Sequence, residues 1–378
     1  MDLDRVRRQF PVTASVIHLN HAGVSPTPSC CAEAMKALAD DAAQHGTLHA
    51  RKWQQEVDAL RGDLARLIGA QAPDIAFTKN TTHGLILAAN SIPWQEGENV
   101  VTTDLEFPAN IYPWLSLEWR GVETRIVPRR DGRIVLDDLA AAMDARTRAL
   151  AISWVEFSNG FTNDLAALSQ LCRDRGLFFV VDGIQGVGAL TIDLSALAVD
   201  FFAGAAHKWL LGPEGFGYLY CRPEALERIL PGFVGWHGVV NPDDYLDYDL
   251  TLQPDARRFE EGGPSVIGAH GLAASVRLLL GVGPAAIEAR VLALTDWLTE
   301  RLGGLDYTIL SSREPGEKSG IVSCLPPRGS PRRVVSALRS RNMVAAVRDG
   351  AIRLSPHFYN SEEELEGVLE VMAGCGES

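Results

Sequence analysis

The sequence predicts a large α/β domain with a doubly wound, mainly parallel seven-stranded sheet, followed by a smaller α+β domain. Three observations lead there. Short β-rich runs alternate with helix-like stretches from about residue 55 to 222. Several of those runs are continuously apolar, as strands covered on both faces are. After Arg222 the alternation stops, and a loop-rich region precedes a mixture of helix and strand. Strand–helix alternation is the pattern of crossover-connected parallel sheets. At 378 residues and 46% hydrophobic content, the chain is long enough to build two cores.

The expected strands of the first domain are 75–78, 99–102, 123–127, 149–155, 177–181, 200–203 and 215–220. Helix-like stretches fall at 54–68, 82–90, 136–143 and 165–175. Residues 231–264 are rich in Gly, Pro, Asp and aromatics and read as site-lining loops. Beyond them, helices are expected at 266–280, 285–302, 331–341 and 361–372, and strands at 320–324, 343–347 and 351–355. The expected division is 15–265 for the large domain and 266–378 for the small one, with the segment 1–14 packing on the latter. No internal repeat or low-complexity tract interrupts this plan.

Composition narrows the function classes. The chain has 35 basic and 48 acidic side chains, a net charge of −13, and no clustered basic stripe, so nucleic acid is not an expected partner. The start, Met1-Asp2-Leu3-Asp4-Arg5, is charged, and no apolar run reaches the roughly 18 residues needed to span a bilayer. A cytoplasmic protein without a membrane partner is expected. The six cysteines show neither CxxC nor zinc-like spacing, so reduced thiols and no metal site are expected.

The chemistry gathers at strand ends. The run Phe201-Phe202-Ala203-Gly204-Ala205-Ala206-His207-Lys208-Trp209 delivers a lysine beyond an apolar strand. A lysine amine becomes a nucleophile near neutrality only when desolvation or positive charge lowers its reference pKa of about 10.4. The run Leu177-Phe178-Phe179-Val180-Val181 ends in Asp182, with Gln185 three residues on. Ligands of doubly wound sheets bind at such carboxyl ends. Phe77-Thr78-Lys79-Asn80-Thr81-Thr82-His83-Gly84 ends one strand and opens a helix. Its free N–H groups, helix dipole and hydroxyls suit a phosphate, although an ordinary threonine cap would look the same. Gly183-Ile184-Gln185-Gly186-Val187-Gly188 has the order G-x-x-G-x-G, not G-x-G-x-x-G, which argues against a dinucleotide fold.

Taken together, a phosphate site, a buried acid, an amide and a strand-end lysine meet the needs of pyridoxal 5′-phosphate. The lysine holds the aldehyde as a Schiff base, and the carboxylate keeps the pyridine nitrogen protonated. An ion pair at about 4 Å in an effective dielectric near 20 gives roughly 4 kcal/mol before desolvation, enough to hold that proton.

With these motifs, the chain resembles the class V aminotransferase family, the fold-type I pyridoxal phosphate enzymes that include cysteine desulfurases, selenocysteine lyases and isopenicillin N epimerase-like proteins. The resemblance runs from His18-Leu19-Asn20-His21-Ala22-Gly23 to Ile352-Arg353-Leu354-Ser355-Pro356-His357-Phe358-Tyr359-Asn360. It implies Lys208 as the Schiff-base lysine, Asp182 as the pyridinium partner and Gln185 as donor to the ring oxygen. It implies Asn159 as a cofactor contact, Thr81, Thr82 and His207 as phosphate ligands, and Phe107 as the ring stacked on the cofactor. Arg353 is implied as the grip on the substrate carboxylate, with Arg348 a second candidate and Asn20 in a substrate-binding loop. A homodimer is implied, with residues near Gly263 and Ser265 reaching the partner's site.

The departures from the family pattern matter as much. Many desulfurases carry histidine where this chain has Phe107, and they need a loop thiol before the arginine strand. Here Val347-Arg348-Asp349-Gly350-Ala351 holds no cysteine. A common phosphate-binding serine is Ala205, and the threonine often given by the partner is Gly263. The resemblance implies an enzyme acting at the α-carbon of an amino acid, first an aminotransferase. The alternatives are a cysteine-type C–S β-lyase, an epimerase, and then a persulfide-forming desulfurase or a non-catalytic cofactor-binding protein.

Overall fold

The computed structural model describes residues 2–230 and 232–375. Residues 1, 231 and 376–378 lie outside the described residues; among them are the first residue of the expected loop region and the end of the expected small domain. The strands in chain order are β1 (Ile17–His18), β2 (Ile75–Thr78), β3 (Asn99–Thr103), β4 (Glu123–Val127), β5 (Thr147–Ser153), β6 (Phe178–Asp182), β7 (Phe201–Ala205), β8 (Gly217–Cys221), β9 (Thr308–Ile309), β10 (Val322–Leu325), β11 (Met343–Val344), β12 (Ala346–Arg348) and β13 (Ala351–Leu354).

The large sheet has seven strands in the order β2-β8-β7-β6-β5-β3-β4. All neighbours run parallel except β8, which is antiparallel to both β2 and β7. The chain between β7 and β8 contains no crossover helix, and a strand reached by so short a connection must return antiparallel. The continuous apolar runs are explained by two cores. Leu150, Ile152, Phe179, Val181 and Phe202 face one layer, while Ala149, Ala151, Phe178, Val180 and Phe201 face the other. Successive residues of a strand point to opposite faces, so a sheet covered twice needs both sets apolar.

A third core joins Leu19, Leu298, Leu302, Val322, Ile352, Leu354, Leu365 and Leu369. It underlies the four-stranded sheet β12-β13-β10-β9. The expected strand 343–347 is two strands. β11 pairs parallel with β1, whereas β12 pairs antiparallel with β13. Asp349 and Gly350 both have positive φ, 46° and 75°, the conformation a tight two-residue hairpin requires. That hairpin carries Arg348 and Arg353.

The helix Ser29–His45 was not foreseen. It and Ala50–Ile68 both pack on Val266–Val282. Val266–Val282 sends Leu272, Val276 and Leu279 into the large-domain core. No single helix among the described residues is long and apolar enough to cross a membrane.

Candidate active site

Asp182 closes β6 and pairs across the parallel β6–β7 ladder with Ala203. The chain then leaves β7 through a tight turn in which Leu211 N–H donates to the Lys208 carbonyl at 3.0 Å and Gly212 N–H to that of Ala206 at 2.8 Å. This turn folds Lys208 back over the end of β6. Both groups are buried, Asp182 at 2% and Lys208 at 8% exposure. Burial pushes the Asp182 carboxyl up to about 6, opposed by the Ile184 N–H at 2.9 Å and by the charge of Lys208. Burial draws the Lys208 amine down to about 8. Asp182 holds it up, while Arg353 and Arg348 press it further down. The result is an amine within reach of its neutral form, the state in which it attacks a carbonyl or removes a proton.

Gln185 lies in the same cleft, of about 270 Å³. Its Oε1 accepts from Trp209 Nε1 and its Nε2 donates to the Ala22 carbonyl, both at 3.0 Å. An amide nitrogen has two N–H groups, so one remains for a ligand. Trp209 is locked in turn: its carbonyl is 3.0 Å from His357 Nε2. The glycines after Asp182 serve this packing. A Cβ on Gly188 would come within 2.3 Å of the Trp209 carbonyl, and one on Gly183 within 2.0 Å of the Phe202 ring. The near-dinucleotide motif is therefore a close-packed turn.

The anion corner is the start of the helix Thr81–Ser91. Asn80 caps it, accepting from His83 N–H at 2.9 Å. Asn80, Thr81, Thr82 and His207 line the cleft. Thr81 Oγ1 is buried with no hydrogen-bond partner in the protein. A buried hydroxyl without a partner is costly, and a phosphate oxygen would satisfy it. Burial also lowers the pKa of His207, with Lys208 adding to the effect. This corner fits a phosphate-bearing cofactor although Ala205 offers no hydroxyl.

Arg353 is 1% exposed and lines the cleft. Its Nη1 donates to the Phe157 carbonyl at 2.6 Å and its Nη2 to Asn20 Oδ1 at 3.2 Å, while Nε has no partner. Burial draws its pKa down to about 9, and Arg348 adds to the effect. A buried guanidinium paired only with neutral oxygens is poised for a carboxylate. Arg348 also reaches the cleft, but it is exposed and donates to the carbonyl of Val347. Asn20 does not line the cleft; it holds Arg353.

One other expected contact changes. Asn159 is not in the cleft. Its Nδ2 donates to the Gly132 carbonyl at 2.6 Å and its Oδ1 accepts from Phe161 N–H at 3.0 Å, so both ends of the amide fasten the loop. Phe157, two residues earlier, is the side chain that enters. Its ring lies 5.2 Å from that of Phe107 at 75°, and Phe107 in turn lies 5.4 Å from Lys208 Nζ. Gly263 and Ser265 are exposed and do not line the cleft of their own chain, as residues expected to serve a partner need not. Ser265 Oγ accepts from Gly268 N–H as a helix cap.

Sequence reasoning also missed two buried acids. Glu106 accepts from the Ser153 N–H and hydroxyl, both at 2.6 Å, and burial lifts its pKa to about 8. Burial, and then the charge of Glu106, also raise the Glu156 carboxyl well above the usual carboxylate range. Their signal was present: an acid three residues beyond the end of an apolar strand. A larger hollow of about 600 Å³, between Trp154, Asn163 and Glu317, holds no comparable group of side chains. None of the six cysteines lines the Lys208 cleft.

The family model for aminotransferase class-V matches residues 17–368. A probable cysteine desulfurase of Pyrococcus abyssi is 30% identical, over 97% of this chain and 96% of its own length. Two structures of the protein C-DES are similar at 25% identity. One, a mutant with glycine covalently linked to its pyridoxal phosphate cofactor, has a TM-score of 0.89 over 97% of this chain and 98% of that one. The other, described as the cystine C–S lyase in complex with its product cysteine persulfide, has a TM-score of 0.88 over 97% and 99%. The chain belongs to the class V aminotransferase family. It is an enzyme of the fold-type I architecture, and its cofactor is pyridoxal 5′-phosphate.

The shifted carboxyl of Asp182 gives a test on the cofactor-free protein. Its native pKa is raised, so the folded state holds the proton more tightly than the unfolded chain, and stability falls as pH climbs from about 4 to 6. A rise of about two units corresponds to about 3 kcal/mol. Asp182→Asn keeps the acceptor for Ile184 N–H, so its Tm should exceed the wild type at pH 8, with the gap closing toward pH 4. A lower Tm at pH 8 would contradict the assignment.

Proposed function

We propose that this enzyme removes the α-proton of an amino acid and eliminates a sulfur group from its β-carbon, as a cysteine- or cystine-type C–S lyase. When bound, the cofactor supplies an aldehyde to hold the amino acid and a protonated ring to accept electrons from the α-carbon. Lys208 would hold that aldehyde at rest, and its amine would take the α-proton. Asp182 would keep the ring nitrogen protonated, Gln185 would offer its remaining N–H to the ring oxygen, and Phe107 would offer an apolar surface to the ring. Thr81, Thr82, His207 and the helix N-terminus hold the phosphate. Arg353, steadied by Asn20, binds the substrate carboxylate.

The observation that carries this reading is a cleft with one lysine amine and no cysteine. A thiolate or persulfide leaves as its own anion, so elimination needs no further acid. Without a cleft thiol, no protein persulfide forms there, which separates this chain from persulfide-relaying desulfurases. The likeness to a cystine C–S lyase supports the same reading. Transamination is the second reading, because one amine can move a proton between two carbons without a partner acid. Phe107 and Phe157 cannot donate a proton, which weighs against epimerisation. A homodimer accompanies the proposal: the exposed Gly263 and Ser265, and the exposed aromatic side chains Trp236, Tyr245 and Tyr248, would meet a second copy.

Incubating the holoenzyme with cysteine, cystine and an amino-acid panel should release pyruvate, ammonia and sulfide or persulfide with no 2-oxo acid added. Lys208→Ala should abolish this turnover. Product formation that depends on an added 2-oxo acid would establish transamination instead. For the carboxylate, Arg353→Lys should raise KM by about tenfold or more, because a lysine cannot make the paired contacts of a guanidinium. Arg348→Ala should change KM less, and the reverse order would move the grip to Arg348.

A further inference from the structure

We propose that Asp41, His45 and His49 form a binding site for a divalent transition metal, zinc foremost, at the junction of two helices and outside the residues that line the Lys208 cleft. Asp41 and His45 lie one turn apart at the end of helix Ser29–His45. Gly46, at φ 59°, carries the chain out of the helix, and His49 returns just before helix Ala50–Ile68. The two rings approach the same carboxylate oxygen from opposite sides of this turn. His45 Nδ1 is 2.9 Å and His49 Nδ1 2.8 Å from Asp41 Oδ1. Their centroids are 4.9 Å apart at 47°.

One histidine would suffice to cap the helix end. Two converging on one oxygen assemble the donor set that zinc takes, imidazole nitrogen with carboxylate oxygen, and leave a position open to solvent. The other oxygen, Asp41 Oδ2, accepts from Trp53 Nε1 at 2.8 Å. That is the outer hydrogen bond that orients a ligating carboxylate. Ligands at about 2.0–2.1 Å from a tetrahedral ion sit a little farther apart than these atoms do. Both histidines are about two-fifths exposed, at 43% and 42%, and can rotate to admit the ion. A neutral ring that gives up its Nδ1 proton carries it on Nε2, so the ion replaces a shared proton and not a buried bond. Binding would tie the end of Ser29–His45 to the start of Ala50–Ile68, the two helices that pack on Val266–Val282.

The test uses the full-length holoenzyme, stripped of metal with a chelator, dialysed, and titrated with zinc chloride by calorimetry. Metal content is then read by elemental analysis. One saturable ion per chain is expected, with a rise in Tm. His45→Gln and His49→Gln should each weaken binding by about tenfold or more and remove the Tm shift. Trp53→Phe leaves all three ligands and should weaken binding less. Circular dichroism checks that each variant is folded, and the two histidine variants are independent readings. No zinc uptake by the wild type, or unchanged affinity and stoichiometry in both histidine variants, would overturn the proposal.

Discussion

Everything around the cleft depends on holding a lysine amine out of water next to a carboxylate that is also out of water. Asp182 and Lys208 are each perturbed mainly by burial, in opposite directions, and each is pulled partly back by the other. Between about pH 6 and 8 both are charged, so the pair is stable enough to fold yet close to losing a proton. Arg353 shifts the balance further toward the neutral amine. The same field that frees the Lys208 amine leaves a guanidinium without a counter-anion, ready for a carboxylate.

The rest of the fold keeps these groups in register. Parallel pairing of β6 with β7 sets Asp182, and the turn after β7 sets Lys208. Trp209, next to the lysine, fixes Gln185 and is itself fixed by His357. The hairpin β12–β13 brings Arg353, and the N-terminal segment reaches it through Asn20. That segment is anchored elsewhere by Tyr359, which stacks on Phe10 at 3.7 Å and meets His21 Nε2 at 2.7 Å. The site is therefore assembled from elements of the large sheet and of the small one, and packing far from the cleft positions its groups.

Much of this was legible in the sequence, for identifiable reasons. Strands buried on both faces leave uninterrupted apolar runs, so β5, β6 and β7 were clear, and the polar residues ending them stood out. Residues placed by tertiary contact were less so. Asn159 satisfies the motif but spends its amide on Gly132, while Phe157 takes the cleft; spacing alone could not choose between them. Strand β11 was merged with β12 because the partner that separates them, β1, is more than three hundred residues away. The Asp41, His45 and His49 cluster depends on the turn at Gly46, whose geometry no periodicity announces.

The absence of a cleft cysteine and the two phenylalanines near Lys208 give the site a simple protonic economy, with one amine doing most of the transfer. Its most direct test is the pH dependence of the rate at which cofactor-free protein takes up pyridoxal phosphate. Only the neutral amine attacks the aldehyde, so the rate should rise with pH and reach half its maximum near pH 8. A midpoint near the ordinary lysine value of about 10.4 would contradict the account.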